Sequence, residues 1–336
     1  MMEVVTRPHA AAMRRWAEKR DDIVVLSGDL TKNTEADAFR ERWPDRFFSM
    51  GLAEQNMLSV AGGMAREGFT PFVYTFAVFI YRRAFDQLSM SVAYPNLKVR
   101  LAAFLPGVTT PGGVSHQAIE DVAIMRAVPN MTVLETGDAT DIETLLPVTE
   151  QIDGPVYLRM LRGKVQRLFP ADEPMRLGRA RQLSVGSDVA VLSSGISTGE
   201  AMRAVEALRR KGLSVAHLHV STLKPFDDPL VTEVISSTRH GVVTLENHSI
   251  VGGLGSAVAE VIAENRLDVR LTRLGLRDTY AHGGAQAYLM RHYGLDARAL
   301  VDAVQNLTGE AFDIDDAAIA SIVIEPVHAA HKAEAL

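Results

Sequence analysis

The 336-residue chain has no cysteine. Disulfides, thiolate metal sites and a cysteine nucleophile are excluded together. It also lacks any apolar run approaching the ~20 residues that a membrane-spanning helix needs. An excess of positive charge is missing too: the net charge is −6, with no long basic stretch. A nucleic-acid-binding face wants concentrated positive charge, so neither nucleic acid nor membrane is an expected partner. The opening residues, MMEVVTRPHAAAMRRWAEKR, have no apolar core of the kind a secretion signal carries. A cytoplasmic protein is the expectation. The length suits about two domains of ~150 residues each.

What the chain does have is alternation. Short apolar runs at 22–29, 70–76, 99–104, 131–135 and 154–161 read as strands. Amphipathic stretches at 53–66, 80–92, 117–127 and 139–151 read as helices between them. This order predicts an α/β domain whose mostly parallel sheet is covered on both faces. Residues 163–185 are polar, contain two prolines and break the pattern, as a linker would. A second α/β series follows. Strands are expected at 188–195, 213–220, 241–247 and 269–276, with helices at 197–212, 228–238, 256–265 and 297–307. Ser197 is placed as an N-cap and Gly212 as a C-terminal stop. The expected organisation is two doubly wound domains at 1–165 and 186–325, a linker at 166–185, and a tail at 326–336 in which His328 and His331 are solvated.

Three features are weak as sites. VGGLGSAVAE (251–260) has glycines before a helix, but Val258 stands where a dinucleotide fingerprint needs its third glycine. Tight packing at a helix start is the simpler reading. His217 and His219 share a strand face without a neighbouring ligand in sequence, so ordinary satisfied histidines are expected. Asp29, in SGDL, resembles part of a Gly-Asp metal motif but has no partner ligand at a clear spacing.

Three others point toward chemistry. SMGLAEQNM puts Glu54 in the first turn of an apolar helix; by itself this is an acid favoured by the helix dipole, worth a few tenths of a kcal/mol. YTFAVFIYRRAFDQ places Phe76 and Phe79 three apart where a strand passes into a helix, as core or as a stacking wall for a flat ring. TTPGGVSHQ delivers His116 through a Gly-rich loop to the start of a helix. Loops at the carboxyl ends of parallel strands are where ligands bind, and a histidine there can relay protons near neutral pH.

GLAEQNM, TFAVF and SHQAIEDVAIMRAVPNM, followed by LKPFD (223–227) and ENHSIVGGLGSAV (246–258), resemble the thiamine diphosphate-dependent transketolase family in this order. The resemblance covers the pyrimidine-binding and C-terminal domains of a full-length transketolase. The diphosphate-binding domain, with its Gly-Asp-Gly…Asn metal motif, has no counterpart. It therefore implies one subunit of a split transketolase. A partner subunit would supply the Mg²⁺ ligands, and a heterotetramer of two copies of each chain is expected.

The roles that the resemblance implies are these. Glu54 hydrogen-bonds the pyrimidine N1′ and favours the 4′-imino tautomer, the base at thiazolium C2. Phe76 and Phe79 stack on the ring, and Asp29 contacts the cofactor. His116 meets substrate hydroxyls and assists proton transfer, and Arg162 and Arg7 bind a sugar phosphate. The C-terminal domain serves dimer packing. The chain departs from the family at Pro111 and Gly112, which replace an acidic pair, at Phe104, aligned with a phosphate-contacting histidine, and at Asn33, aligned with a serine. These changes imply an acceptor that is less hydroxylated or not phosphorylated. The β subunit of a 2-oxoacid dehydrogenase and half of a deoxyxylulose-phosphate synthase share the two-domain plan, and they stand as alternatives.

Overall fold

The computed structural model describes residues 3–326; His328 and His331 lie outside them. Strand β1 (Val4–Thr6) begins the chain. Strands β2 (Ile23–Ser27), β3 (Phe47–Ser49), β4 (Thr70–Phe76), β5 (Arg100–Phe104), β6 (Thr132–Glu135) and β7 (Val156–Met160) then form a parallel sheet in the order β6-β7-β5-β4-β2-β3. Every residue of β2, β4, β5 and β7 is buried. A parallel sheet covered on both faces by its crossover helices produces this pattern.

The stretch read as a linker is partly ordered. Its first residues form β8 (Lys164–Gln166), antiparallel to β1. Its last form β9 (Arg181–Ser184), the edge of a second sheet. That sheet continues through β10 (Val189–Ser193), β11 (Val215–His219), β13 (Gly241–Ser249) and β14 (Leu271–Leu276) in the order β14-β13-β10-β11-β9. Between β11 and β13 the chain returns to the first domain, where β12 (Thr222–Lys224) joins antiparallel to β6. Nothing in the local sequence marks this excursion, because three residues carry no readable period.

The two sheets share packing. Val189, Val191, Val215, Val243 and Leu245 face the helices Ser197–Arg210 and Ala297–Thr308. Their neighbours Ala190, Leu192, Ala216, Leu218 and Val242 join the core that runs through the first domain. The strand period of two thus sends one face of the second sheet to the helices Ser197–Arg210 and Ala297–Thr308, and the other into a core shared by the helix Leu254–Glu264 and the first domain.

Three expected elements differ. The helix expected at 80–92 is two π-helical turns, Phe79–Arg83 and Leu88–Ala93, around a short α-turn at Phe85–Gln87. The helix expected at 117–127 spans only Asp121–Ala127, so His116 lies in a turn several residues before it. Ser197 is the first residue of its helix rather than the cap; Ile196 precedes it, and the Ser197 hydroxyl is buried without a partner among the described residues. Among those residues no helix is long and apolar enough to cross a membrane.

Candidate active site

The register aligns the carboxyl ends of the first sheet. Ser27 pairs with Tyr74, Phe76 with Phe104, and Phe104 with Met160. The chain leaving each strand carries one of the expected residues to that edge: Asp29 after β2, Glu54 after β3, Phe79 after β4, His116 after β5 and Arg162 after β7.

Glu54 opens the helix Glu54–Arg66 and is fully buried. A first-turn acid that only serves the dipole has no need of burial, which penalises the carboxylate. Arg83 Nη1 donates to both carboxylate oxygens at 2.8 Å. The same guanidinium lies 4.2 Å above the Phe79 ring, and the Arg83 side chain is 43% exposed. The cation therefore reaches the buried carboxylate from the solvent side, across an aromatic face.

Phe76 and Phe79 are near-parallel, with centroids 6.1 Å apart. His116 sets its edge against both, at 6.2 and 5.7 Å. Glu54, the two phenylalanines and His116 thus come together, with Arg83 linking the carboxylate to the wall. The wider π turn at Phe79–Arg83 belongs to this corner; such turns recur at functional sites.

His116 Nδ1 and the Ser115 hydroxyl are hydrogen-bonded at 2.9 Å, which leaves Nε2 without a hydrogen bond among the described residues. A Cβ on Gly112 would stand 3.1 Å from His116 Cβ and Cγ. The replacement of an acidic residue by Gly112 is therefore coupled to how His116 lies. Arg82 ties the loop to the wall: it donates to Glu120 at 2.8 and 2.9 Å, and to the Val114 and Gln117 carbonyls at 3.0 and 3.4 Å. Arg82 and Arg83 were not singled out from sequence. Adjacent arginines just after an aromatic pair at the carboxyl edge of a sheet are a usable signal.

The two expected phosphate-binding arginines are held differently. Arg162 lines a cavity of about 520 Å³ between the domains, together with Lys164, Gln166, Thr109 and Gln286. Neither Arg162 nor Lys164 has a carboxylate within salt-bridge distance among the described residues, whereas Arg203, on the same cavity, pairs with Glu200. Arg7 is instead paired with Asp37 and does not line the cavity. Between the two arginines Glu35 accepts from the Ala10 and Gly163 amides at 3.1 and 2.8 Å, and burial raises its pKa. Phe104 is fully buried, parallel to Tyr74 and edge-on to His9. Asn33 and Asp29 are exposed.

His217 and His219 are both buried and bonded rather than free. His219 contacts the Asp141 carboxylate at 2.9 Å and Thr198 at 2.8 Å, and His217 contacts Ser193 at 2.8 Å. Asp141 comes from the other domain, so sequence neighbours did not reveal it.

Residues 6–167 match the transketolase pyrimidine binding domain, and residues 178–300 match the transketolase C-terminal domain. A 6-deoxy-6-sulfo-D-fructose transketolase subunit from a Clostridium species is 40% identical over 294 residues, covering 87% of this chain and 91% of that protein. A 1-deoxy-D-xylulose-5-phosphate synthase from Syntrophotalea carbinolica is 36% identical over 299 residues, covering 88% of this chain but 47% of that enzyme. Among solved structures, a split-gene transketolase described as an inactive beta4 tetramer superposes with a TM-score of 0.83 at 40% identity, covering 90% of this chain and 97% of that one.

Proposed function

The chain belongs to the transketolase family, and on that premise we propose that it is one subunit of a split transketolase, moving a two-carbon ketol unit from a ketose to an aldehyde. The observation that carries this reading is the fully buried Glu54 carboxylate beside the Phe76–Phe79 wall. The Arg83 guanidinium shows what kind of group this corner accepts. A flat group with N–H donors already bonds this carboxylate and lies on this aromatic face. An aminopyrimidine ring that shares a proton at N1′ presents the same combination of flat face and N–H donor, so the residues present suit thiamine diphosphate. When bound, that cofactor supplies the carbon nucleophile and the electron sink for cleaving a ketose beside its carbonyl.

The chain's own residues have distinct tasks. Glu54 holds a proton at the pyrimidine N1′, in a dry place where such a bond is strong. Phe76 and Phe79 orient the ring and exclude water. Asp29 contacts the cofactor from the adjoining strand end. His116, with Nδ1 engaged by Ser115, offers Nε2 to substrate hydroxyls as a proton relay. Arg162 binds the anionic end of the sugar; Arg7, tied to Asp37, supports that region and reaches substrate only if it exchanges partners. A relative named for a sulfonated sugar accords with a site that recognises a terminal anion, phosphate or sulfonate.

A partner subunit carries the diphosphate-binding half and the Mg²⁺ ligands, in a cytoplasmic heterotetramer. The inactive beta4 form of a similar chain supports both self-association and the need for a partner. The test is two-carbon transfer from a ketose phosphate to ribose 5-phosphate, with the partner subunit and thiamine diphosphate present. Transfer that depends on both subunits is the expected result. Decarboxylation of pyruvate or a branched 2-oxoacid without ketose cleavage would overturn it. Full activity on ribose 5-phosphate would remove the narrower expectation of an unusual acceptor.

A further inference from the structure

The His116 loop, residues 105–120, is held along its length by the C-terminal domain. At its stem, Asn247 Oδ1 accepts from the Val108 amide at 2.9 Å, and Asn247 Nδ2 donates to the Pro106 carbonyl at 3.0 Å. On the return, the Ser249 amide donates to the Ile119 carbonyl at 2.7 Å. At the crown, buried Gln117 donates through Nε2 to the His282 carbonyl at 3.2 Å and to its own loop at Thr110, 3.3 Å. The crown also packs tightly at Gly283. A Cβ there would stand 2.8 Å from the Pro111 carbonyl oxygen, and Gly113, with φ of 70°, lies against the same residue. The Gly113 carbonyl in turn accepts from the His116 amide at 2.9 Å. A displacement at Gly283 is thus passed to His116 through a single turn.

We infer that His282 and Gly283 of the C-terminal domain, with Gln117, form a positioning element for His116, setting where its imidazole meets substrate. This gives the second domain a part in the reaction beyond packing, and it rests on the catalytic reading of His116 given above. A catalytic side chain carried on a loop needs a supporting shell to hold it in productive geometry, and here part of that shell comes from the second domain.

Gly283 is exposed, and its backbone lies in the region open to any residue. Gly283→Ala therefore probes the contact without strain of its own. Hydrogen exchange over residues 109–119 is measured on the full chain. Values of kcat and KM are measured on the reconstituted complex with xylulose 5-phosphate and ribose 5-phosphate. Gly283→Ala and Gln117→Leu are expected to speed exchange of the loop and leave the melting temperature little changed. They should lower kcat/KM on the order of tenfold, the cost of a small misplacement of a reacting group. Gly284→Ala is the control, because its Cβ would face Tyr288 and Leu289 of its own domain; it should match the wild type. Wild-type exchange and kinetics in Gly283→Ala would overturn the inference, as would the same losses in Gly284→Ala. A His116→Ala enzyme with undiminished transfer would overturn the catalytic reading instead, leaving the exchange result to decide the positioning claim.

Discussion

The two sheets follow one plan and finish differently. Both are largely parallel, and both direct polar residues to their carboxyl ends, where such sheets bind ligands. At the first sheet that edge is open. Asp29 and Arg162 are exposed, His116 is half-buried, and the buried Glu54 is met by a cation reaching in from solvent. At the second sheet the edge is sealed. Ser193, His217, His219, Glu246, Asn247 and His248 are all buried, and residues of the first domain satisfy much of the set. Arg159, near the end of β7, adds one such bond: it donates to the Asn247 carbonyl at 3.0 Å, and within its own domain it bonds Asp121 at 2.8 Å, Glu135 at close range and the Ala118 carbonyl at 3.0 Å. An open edge keeps bonding capacity for a ligand; a sealed one has already used it between domains.

The sharpest way to break this comparison is at Arg159. Arg159→Met leaves Asp121 and Glu135 buried without their cation, so the expected loss is about 3–5 kcal/mol of stability, read by denaturant unfolding. A stable variant would mean that the buried network at the seam between the domains contributes little. The opposite behaviour is expected at Glu54. Glu54→Gln keeps the shape and removes the carboxyl that shares a proton with N1′, so ketol transfer by the reconstituted complex should fall by about 10²–10⁴, with the melting temperature little changed. Retained activity would reduce Glu54 to a buried helix-start acid.

The open edge was legible in the sequence because its parts are local. Gly51 and Glu54, Phe76 and Phe79, and Gly113 and His116 each sit within a few residues at a strand-to-helix passage, and the alternation of periods placed those passages on one edge. The sealed edge was not legible because its bonds are distant. Arg159 reads as one more residue of a strand, and its partners are 24 to 88 residues away. His219 likewise meets Asp141 78 residues away. The π turns were missed for another reason. An apolar stripe at 80–92 fits an α-helix, and only tertiary bonds, with Arg82 on the loop and Arg83 on Glu54, distinguish the wider winding.

A smaller effect is expected where the open edge meets the anionic end of a substrate. Arg162→Ala and Lys164→Ala should each raise KM for a phosphorylated or sulfonated ketose by about tenfold, the scale of one hydrogen bond to a charged group. The kcat and the KM for a neutral ketose should be spared. An equal rise for charged and neutral ketoses would assign the two cations to structure.

The smallest effect is a change of slope with pH at the sealed edge, where burial shifts two kinds of group in opposite senses. Burial lowers the His217 pKa to about 3. Its contribution is present above the unfolded value near 6.5 and is lost as pH falls toward 3. Burial raises the Glu246 pKa to about 7, against bonds from the Leu254 and Gly255 amides. Its contribution is present below the unfolded value near 4.5 and is lost as pH rises through 7. From pH 4.5 to 6.5 the imidazole makes stability rise with pH while the carboxyl makes it fall, so each partly hides the other. Glu246→Gln removes only the falling part. Between pH 4.5 and 7 the variant's stability, measured by denaturant titration, should therefore climb more steeply than the wild type's, by up to about 1.4 kcal/mol per pH unit. Parallel curves would mean that Glu246 is already ionised across this range, and that the edge is wetter than its burial implies.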